Sequence, residues 1–137
     1  MTKIVIIDDH PVVRDGMSAM LENESDFSVV CSAKSGEDAV DFVRKHGEPS
    51  IVVSDIRMPG MDGFETLAKL RRFYPEIRVL LLAGMPLKVE EEKARAEGAR
   101  GYLPKASTGS ALSRRYALRR RTGTSSQTTS TSRRSVR

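Results

Sequence analysis

A doubly wound α/β fold, a parallel sheet covered by helices on both faces, is the class this chain predicts, and three observations carry it. Short runs rich in β-branched residues or leucine, Lys3 to Ile7, Phe27 to Cys31, Ile51 to Ser54 and Arg78 to Leu82, are too brief for helices. Segments of helical periodicity alternate with them, which implies right-handed crossovers between parallel strands. The run from Val79 onward is continuously apolar, as in a strand covered on both faces.

Taken in order, the first strand ends in Asp8-Asp9. His10-Pro11 suits the first turn of a helix, where proline's missing N–H would be unpaired anyway. Val13, Met17, Met20 and Leu21 fall at helical spacing and direct one face onto the sheet as far as Glu22. Phe27 to Cys31 is the second strand. Ser35 with Asp38 reads as an N-cap with an acid in the first turn; Ala39, Val40 and Val43 supply the apolar face and Gly47 the stop. Pro49 restarts the chain toward the third strand, which delivers Asp55 to its carboxyl end.

Met58-Pro59-Gly60-Met61-Asp62-Gly63 makes the turn into a third helix, with glycine where the backbone needs positive φ and Asp62 as the cap. Phe64, Leu67 and Leu70 follow three apart, and the helix ends before Pro75. Arg78 to Leu82 is the fourth strand. Residues 87–97 form a heavily charged fourth helix with a thin apolar stripe of Leu87, Val89, Ala94 and Ala96, so it is expected to be the least firmly packed. Gly98 closes it, and Gly101 to Lys105 is the fifth strand. Beyond, Leu112 and Tyr116 allow a short or irregular fifth helix whose arginines leave little apolar face.

At 137 residues the chain has room for one domain with a real core. No run approaches the roughly 20 apolar residues of a membrane span, and the N-terminus enters a strand without a signal peptide, so a cytoplasmic protein is expected. Cys31 is the single cysteine and is read as a buried structural one. The net charge of +5 hides two halves: residues 1–112 hold 15 Lys and Arg against all 18 Asp and Glu, while residues 113–137 hold eight arginines and no acid. From Thr122 onward the chain is almost entirely Ser, Thr and Arg, too polar to offset ordering entropy. Residues 1–121 are therefore read as the domain and 122–137 as a disordered tail, able to hold nucleic acid only without sequence preference.

Asp55 stands at a strand end, where open α/β sheets bind ligands and a carboxylate must be solvated, paired or metal-bound. Asp8 and Asp9 reach the rim from the first strand. Three acids at two strand ends suit a hard cation such as Mg²⁺, and Lys105 would face them with one ammonium, an arrangement that can hold a phosphoryl group. His10 lies beside the pocket without a nucleophile to activate, and His46 ends a helix where its charge suits the dipole.

Asp8-Asp9, Asp55 with Met58-Pro59-Gly60-Met61-Asp62-Gly63, and Gly98 through Lys105 agree in order and spacing with one family: over about residues 2–106 the sequence resembles the receiver domain of bacterial two-component response regulators. Asp9-His10-Pro11 is similar to the branch that usually carries a LuxR/NarL-type helix-turn-helix domain, a pattern not found in this sequence. The resemblance implies a flavodoxin-like (CheY-like) sheet of strand order 2-1-3-4-5. It makes Asp55 the phosphoacceptor for a sensor histidine kinase, with Mg²⁺ on Asp9, Asp55 and the backbone carbonyl of Arg57, and Asp8 mainly through water. Lys105 would pair with Asp55 and then with a phosphoryl oxygen. Signalling would run through the face of the fourth helix, fifth strand and fifth helix, with a homodimer or domain-exchanged dimer as a further partner.

One position departs from the family. Ala83 occupies the place of its Ser or Thr switch hydroxyl, while the switch aromatic remains as Tyr102. That leaves a receiver-shaped interaction module with weakened switching as the alternative. A metal-dependent aspartate phosphatase needs an acid two residues after its nucleophile, and Arg57 and His10 stand there instead. No catalytic turnover, sequence-specific DNA reading or membrane binding is expected of this chain.

Overall fold

A computed structural model describes residues 1–107; the expected fifth helix with Leu112 and Tyr116, and the tail from Thr122, lie outside the described residues. Five parallel strands, β1 (Thr2–Ile7), β2 (Phe27–Ala33), β3 (Ile51–Asp55), β4 (Arg78–Ala83) and β5 (Gly101–Pro104), pair in the order β2-β1-β3-β4-β5. This is the doubly wound, flavodoxin-like sheet. Helices α1 (Pro11–Glu22), α2 (Gly36–His46), α3 (Gly63–Phe73) and α4 (Lys88–Ala96) make the crossovers.

Alternation along the strands divides the core in two. Val5, Ile7, Val52, Val79 and Leu81 pack with Ala39, Val43, Leu67, Leu70 and Ala94 on one face of the sheet. Ile4, Ile6, Ile51, Val53, Leu80 and Leu82 pack with Met17 and Leu21 on the other. Because both faces are covered, the central strands read as unbroken apolar runs.

Local signals act where the sequence places them. Ser35 Oγ accepts the Asp38 N–H at 3.1 Å and Gly47 ends α2 at φ 96°. Asp62 and Glu65 form a reciprocal capping box at the start of α3, with bonds of 2.8 and 2.9 Å. Gly60 takes the expected positive φ, at 74°. Gly63 answers to a different constraint: a Cβ there would stand 2.6 Å from the Asp55 carbonyl oxygen, so only glycine lets α3 start against the end of β3.

Four expectations are corrected. β2 continues to Ala33, beyond Cys31. Cys31 is partly exposed rather than buried, because β2 is an edge strand. Met20 leaves the core face of α1 and is 50% exposed. On α4 the apolar stripe shrinks to Ala94, since Leu87 precedes the helix and Val89, 79% exposed, projects from the side away from Ala94. Its single buried residue leaves α4 the most lightly anchored of the four described helices. None of the described helices is long and apolar enough to cross a membrane.

Candidate functional site

Strand register assembles the site. Ile7 pairs with Ser54 and Asp55 with Leu82, while Ala83 pairs with Pro104, so Asp8, Asp55, Ala83 and Lys105 arrive at one rim of the sheet. Asp8 is fully buried and Asp55 is 5% exposed. The Lys105 ammonium lies 2.9 Å from Asp8 Oδ2 and 3.2 Å from Asp55 Oδ2, a cation shared by two carboxylates.

Asp8 is further held by the His10 backbone N–H, which donates to its Oδ1 at 2.9 Å, and Arg14 donates to its carbonyl oxygen at 2.6 Å. Burial alone would push the Asp8 carboxyl up, but the bonds from Lys105 and His10 outweigh it and hold the group below the usual carboxylate range. Asp55 goes the other way. Burial and the neighbouring Asp8 charge raise it, against the opposing pull of Lys105 and the Arg57 N–H. Lys105 is lowered by its own burial, yet the two carboxylates more than compensate and keep its ammonium charged above the ordinary lysine range.

Metal-ligating atoms of Asp8, Asp9, His10 and Asp55 all lie within 4.8 Å of one another. Asp9 Oδ1 is buried and accepts no hydrogen bond, with His10 Nδ1 3.1 Å away; Asp8 Oδ2 is also buried and has only the ion pair with Lys105. Oxygen donors gathered in this way fit a hard divalent cation. His10 is the residue undervalued in the sequence: its Nδ1 is 2.8 Å from Asp8 Oδ1. Its adjacency to Asp8-Asp9 was the signal.

The two positions the family uses as a switch lie on β4 and β5. Ala83 is 1% exposed and brings no hydroxyl to the rim. Tyr102 lies on β5 with its hydroxyl 2.6 Å from Glu90 Oε1, and Glu90 Oε2 lies 3.2 Å from Arg57 Nη1. Nothing in the charged sequence of α4 singled out Glu90.

A profile of the response regulator receiver domain matches residues 4–117. The chain belongs to this family. Among its relatives is the transcriptional regulatory protein DegU of Brevibacillus brevis, 37% identical over 110 residues, which cover 80% of this chain and 46% of DegU. The signal receiver domain of the response regulator NarL from Mycobacterium tuberculosis superposes with a TM-score of 0.77 at 31% identity, covering 89% of this chain and 96% of that domain. A LuxR-family two-component response regulator from Aurantimonas superposes with a TM-score of 0.78 at 30% identity, over 86% of this receiver and 84% of the other chain. The LuxR/NarL-type kinship inferred from Asp9-His10-Pro11 therefore holds. The receiver chain spans about half the length of the curated relatives it matches.

Proposed function

We propose that this receiver accepts a phosphoryl group on Asp55 from a sensor histidine kinase in the cytoplasm and signals through the face built by α4 and β5. The observation that carries the reading is the close gathering of Asp8, Asp9 and Asp55, two of them sharing the Lys105 ammonium. An Asp55 oxygen forms a bond to phosphorus as the P–N bond of a phosphohistidine breaks; the electron pair stays on the imidazole nitrogen of the kinase, and the leaving ring is neutral because its other nitrogen keeps its proton.

Asp55, at the end of β3 and beside the Lys105 ammonium, is the nucleophile of this reading; burial and the Asp8 charge raise its carboxyl. Asp9 and Asp55, with the Arg57 backbone carbonyl, would hold Mg²⁺, and Asp8 would reach it through water. When bound, the ion neutralises charge on the transferring group. Lys105, already beside Asp55, would pass to a phosphoryl oxygen and orient it.

The buried methyl of Ala83 favours a second reading, an interaction module whose switch responds weakly to phosphorylation. Incubation with a small phosphodonor followed by intact-mass analysis tests the main one. One phosphoryl adduct is expected with Mg²⁺ and none with EDTA or in Asp55→Ala; equal labelling in EDTA would overturn it.

A further inference from the structure

Glu90 ties together segments far apart in the chain. Both of its oxygens are engaged, Oε1 by the Tyr102 hydroxyl at 2.6 Å and Oε2 by Arg57 Nη1 at 3.2 Å. The tyrosine oxygen in turn accepts the Leu87 N–H at 2.9 Å. Leu87 is the N-cap of α4 and makes no side-chain cap, so Tyr102 supplies from β5 the acceptor that this helix end lacks. At the other end of the chain of contacts, Arg57 stands two residues past Asp55, and its backbone N–H reaches the Asp55 carboxylate.

The two charged partners differ in freedom. The Glu90 side chain is 12% exposed and that of Arg57 is 66% exposed. An open cavity of about 560 Å³, lined by Arg57, Met58, Asp62, Phe64, Glu90 and Lys93 among others, gives the guanidinium room to swing. A confined carboxylate that loses its cation must regain water, and outward movement of the first turn of α4 increases its access to it. With Ala94 its single buried residue, α4 is built to do so at small cost.

We infer that Arg57, Glu90 and Tyr102 form a charge relay that couples Asp55 to α4 in place of the hydroxyl missing at Ala83. While Asp55 carries only its own charge, Arg57 stays on Glu90 and Tyr102 stays on the end of α4. A phosphoryl dianion on Asp55 is the stronger partner for a guanidinium, so Arg57 transfers to it and frees Glu90, Tyr102 and the first turn of α4 together. The differential contact that any two-state switch requires is then supplied by an ion pair. This relay rests on the assignment of Asp55 as phosphoacceptor.

The experiment uses the full chain with Mg²⁺ and beryllofluoride, a phosphoryl mimic, reading binding by ¹⁹F NMR and residues 84–92 by amide hydrogen exchange. Exchange of that segment in the unaltered protein is expected to rise about fivefold on binding, the opening expected from losing one modest ion pair. Glu90→Gln and Arg57→Gln should each exchange about fivefold faster before the mimic is added and respond little to it. The double variant should be no faster than either single one, because the two residues act as a unit. Additive effects, or a normal α4 response in Glu90→Gln with beryllofluoride bound, would overturn the relay alone. Absence of bound beryllofluoride in the unaltered protein would overturn the Asp55 assignment and the relay with it.

Discussion

The ammonium of Lys105 is held 2.9 Å from the Asp8 carboxylate, a group with no exposure to solvent. Asp8 therefore depends on Lys105 for its charge in the metal-free protein, and Lys105→Ala would leave a buried carboxylate without its cation. Loss of about 3 kcal/mol of stability is expected, as for other broken buried pairs. Mg²⁺ should restore part of it by neutralising the same oxygens. Urea unfolding with and without Mg²⁺ measures both; a variant as stable as the parent in EDTA would contradict it.

Asp55 makes the opposite contribution. Its carboxyl is raised in the folded state, first by burial and then by Asp8, so between the unfolded value and the folded one the native state binds more protons. Stability from this group is thus lost as pH rises through that window, which opens near the unfolded carboxylate value of about 3.9. Asp55→Asn should be more stable than the parent in EDTA at neutral pH, and the difference should close in acid. Saturating Mg²⁺ should stabilise only the parent, by about 2.7 kcal/mol at a hundredfold excess over its dissociation constant. Thermal melts across pH decide it.

Much of the scaffold was legible because its signals are local. Ser35 and Asp62 lie three residues before the N–H groups they cap, and the runs in β1, β3 and β4 needed only a burial pattern. Asp8, Asp55 and Lys105 were legible as strand-end residues, and parallel register brings them together. What escaped depends on contacts between distant segments. Glu90 sits in an acidic run that reads as a solvated helix face, and its burial comes from Tyr102 and Arg57, 12 and 33 positions away. Leu87 and Val89 failed as core residues because periodicity cannot tell where a helix begins relative to the sheet.

Ala83→Thr should strengthen switching. The added hydroxyl can give a phosphoryl oxygen one hydrogen bond, on the order of 1.5–3 kcal/mol for a charged acceptor, present in only one of the two states. Because Ala83 is 1% exposed, the extra atoms should also lower resting stability, by about 1–3 kcal/mol. A larger beryllofluoride-induced change at Tyr102, followed by NMR, is the expected result. Equal responses in parent and variant would make the missing hydroxyl irrelevant.

Residues 113–137 carry eight arginines and no acid, and arginines of this density neutralise phosphates and release counterions. Truncation after residue 121 should reduce retention on DNA at low salt, since three of those arginines are lost, while leaving Asp55 phosphorylation unchanged. Retention should fall steeply with salt and be the same for unrelated duplexes. A sequence-selective footprint that survives about 0.2 M salt would contradict this.

Gly63 connects fold and site most directly. Its φ is not in the left-handed region, so strain is not the reason for glycine; the reason is space, since a Cβ would meet the Asp55 carbonyl oxygen at 2.6 Å and Ile56 Cα at 2.7 Å. Both obstacles are backbone, and neither can rotate away as a side chain could. Gly63→Ala must therefore push the start of α3 off the end of β3, straining the Gly63 N–H bond to the Ile56 carbonyl, now 2.9 Å. A cost of about 3 kcal/mol, the upper end for overpacking, is expected. Because the shift acts on the backbone of Asp55 itself, phosphodonor labelling should slow even under conditions where the variant is fully folded. Gly16→Ala provides the control: nothing lies within 4 Å of its Cβ, and alanine favours the α1 helix, so stability should rise by about 0.5–1 kcal/mol with labelling unaffected. Normal labelling by a folded Gly63→Ala protein would show that the α3 start does not position Asp55.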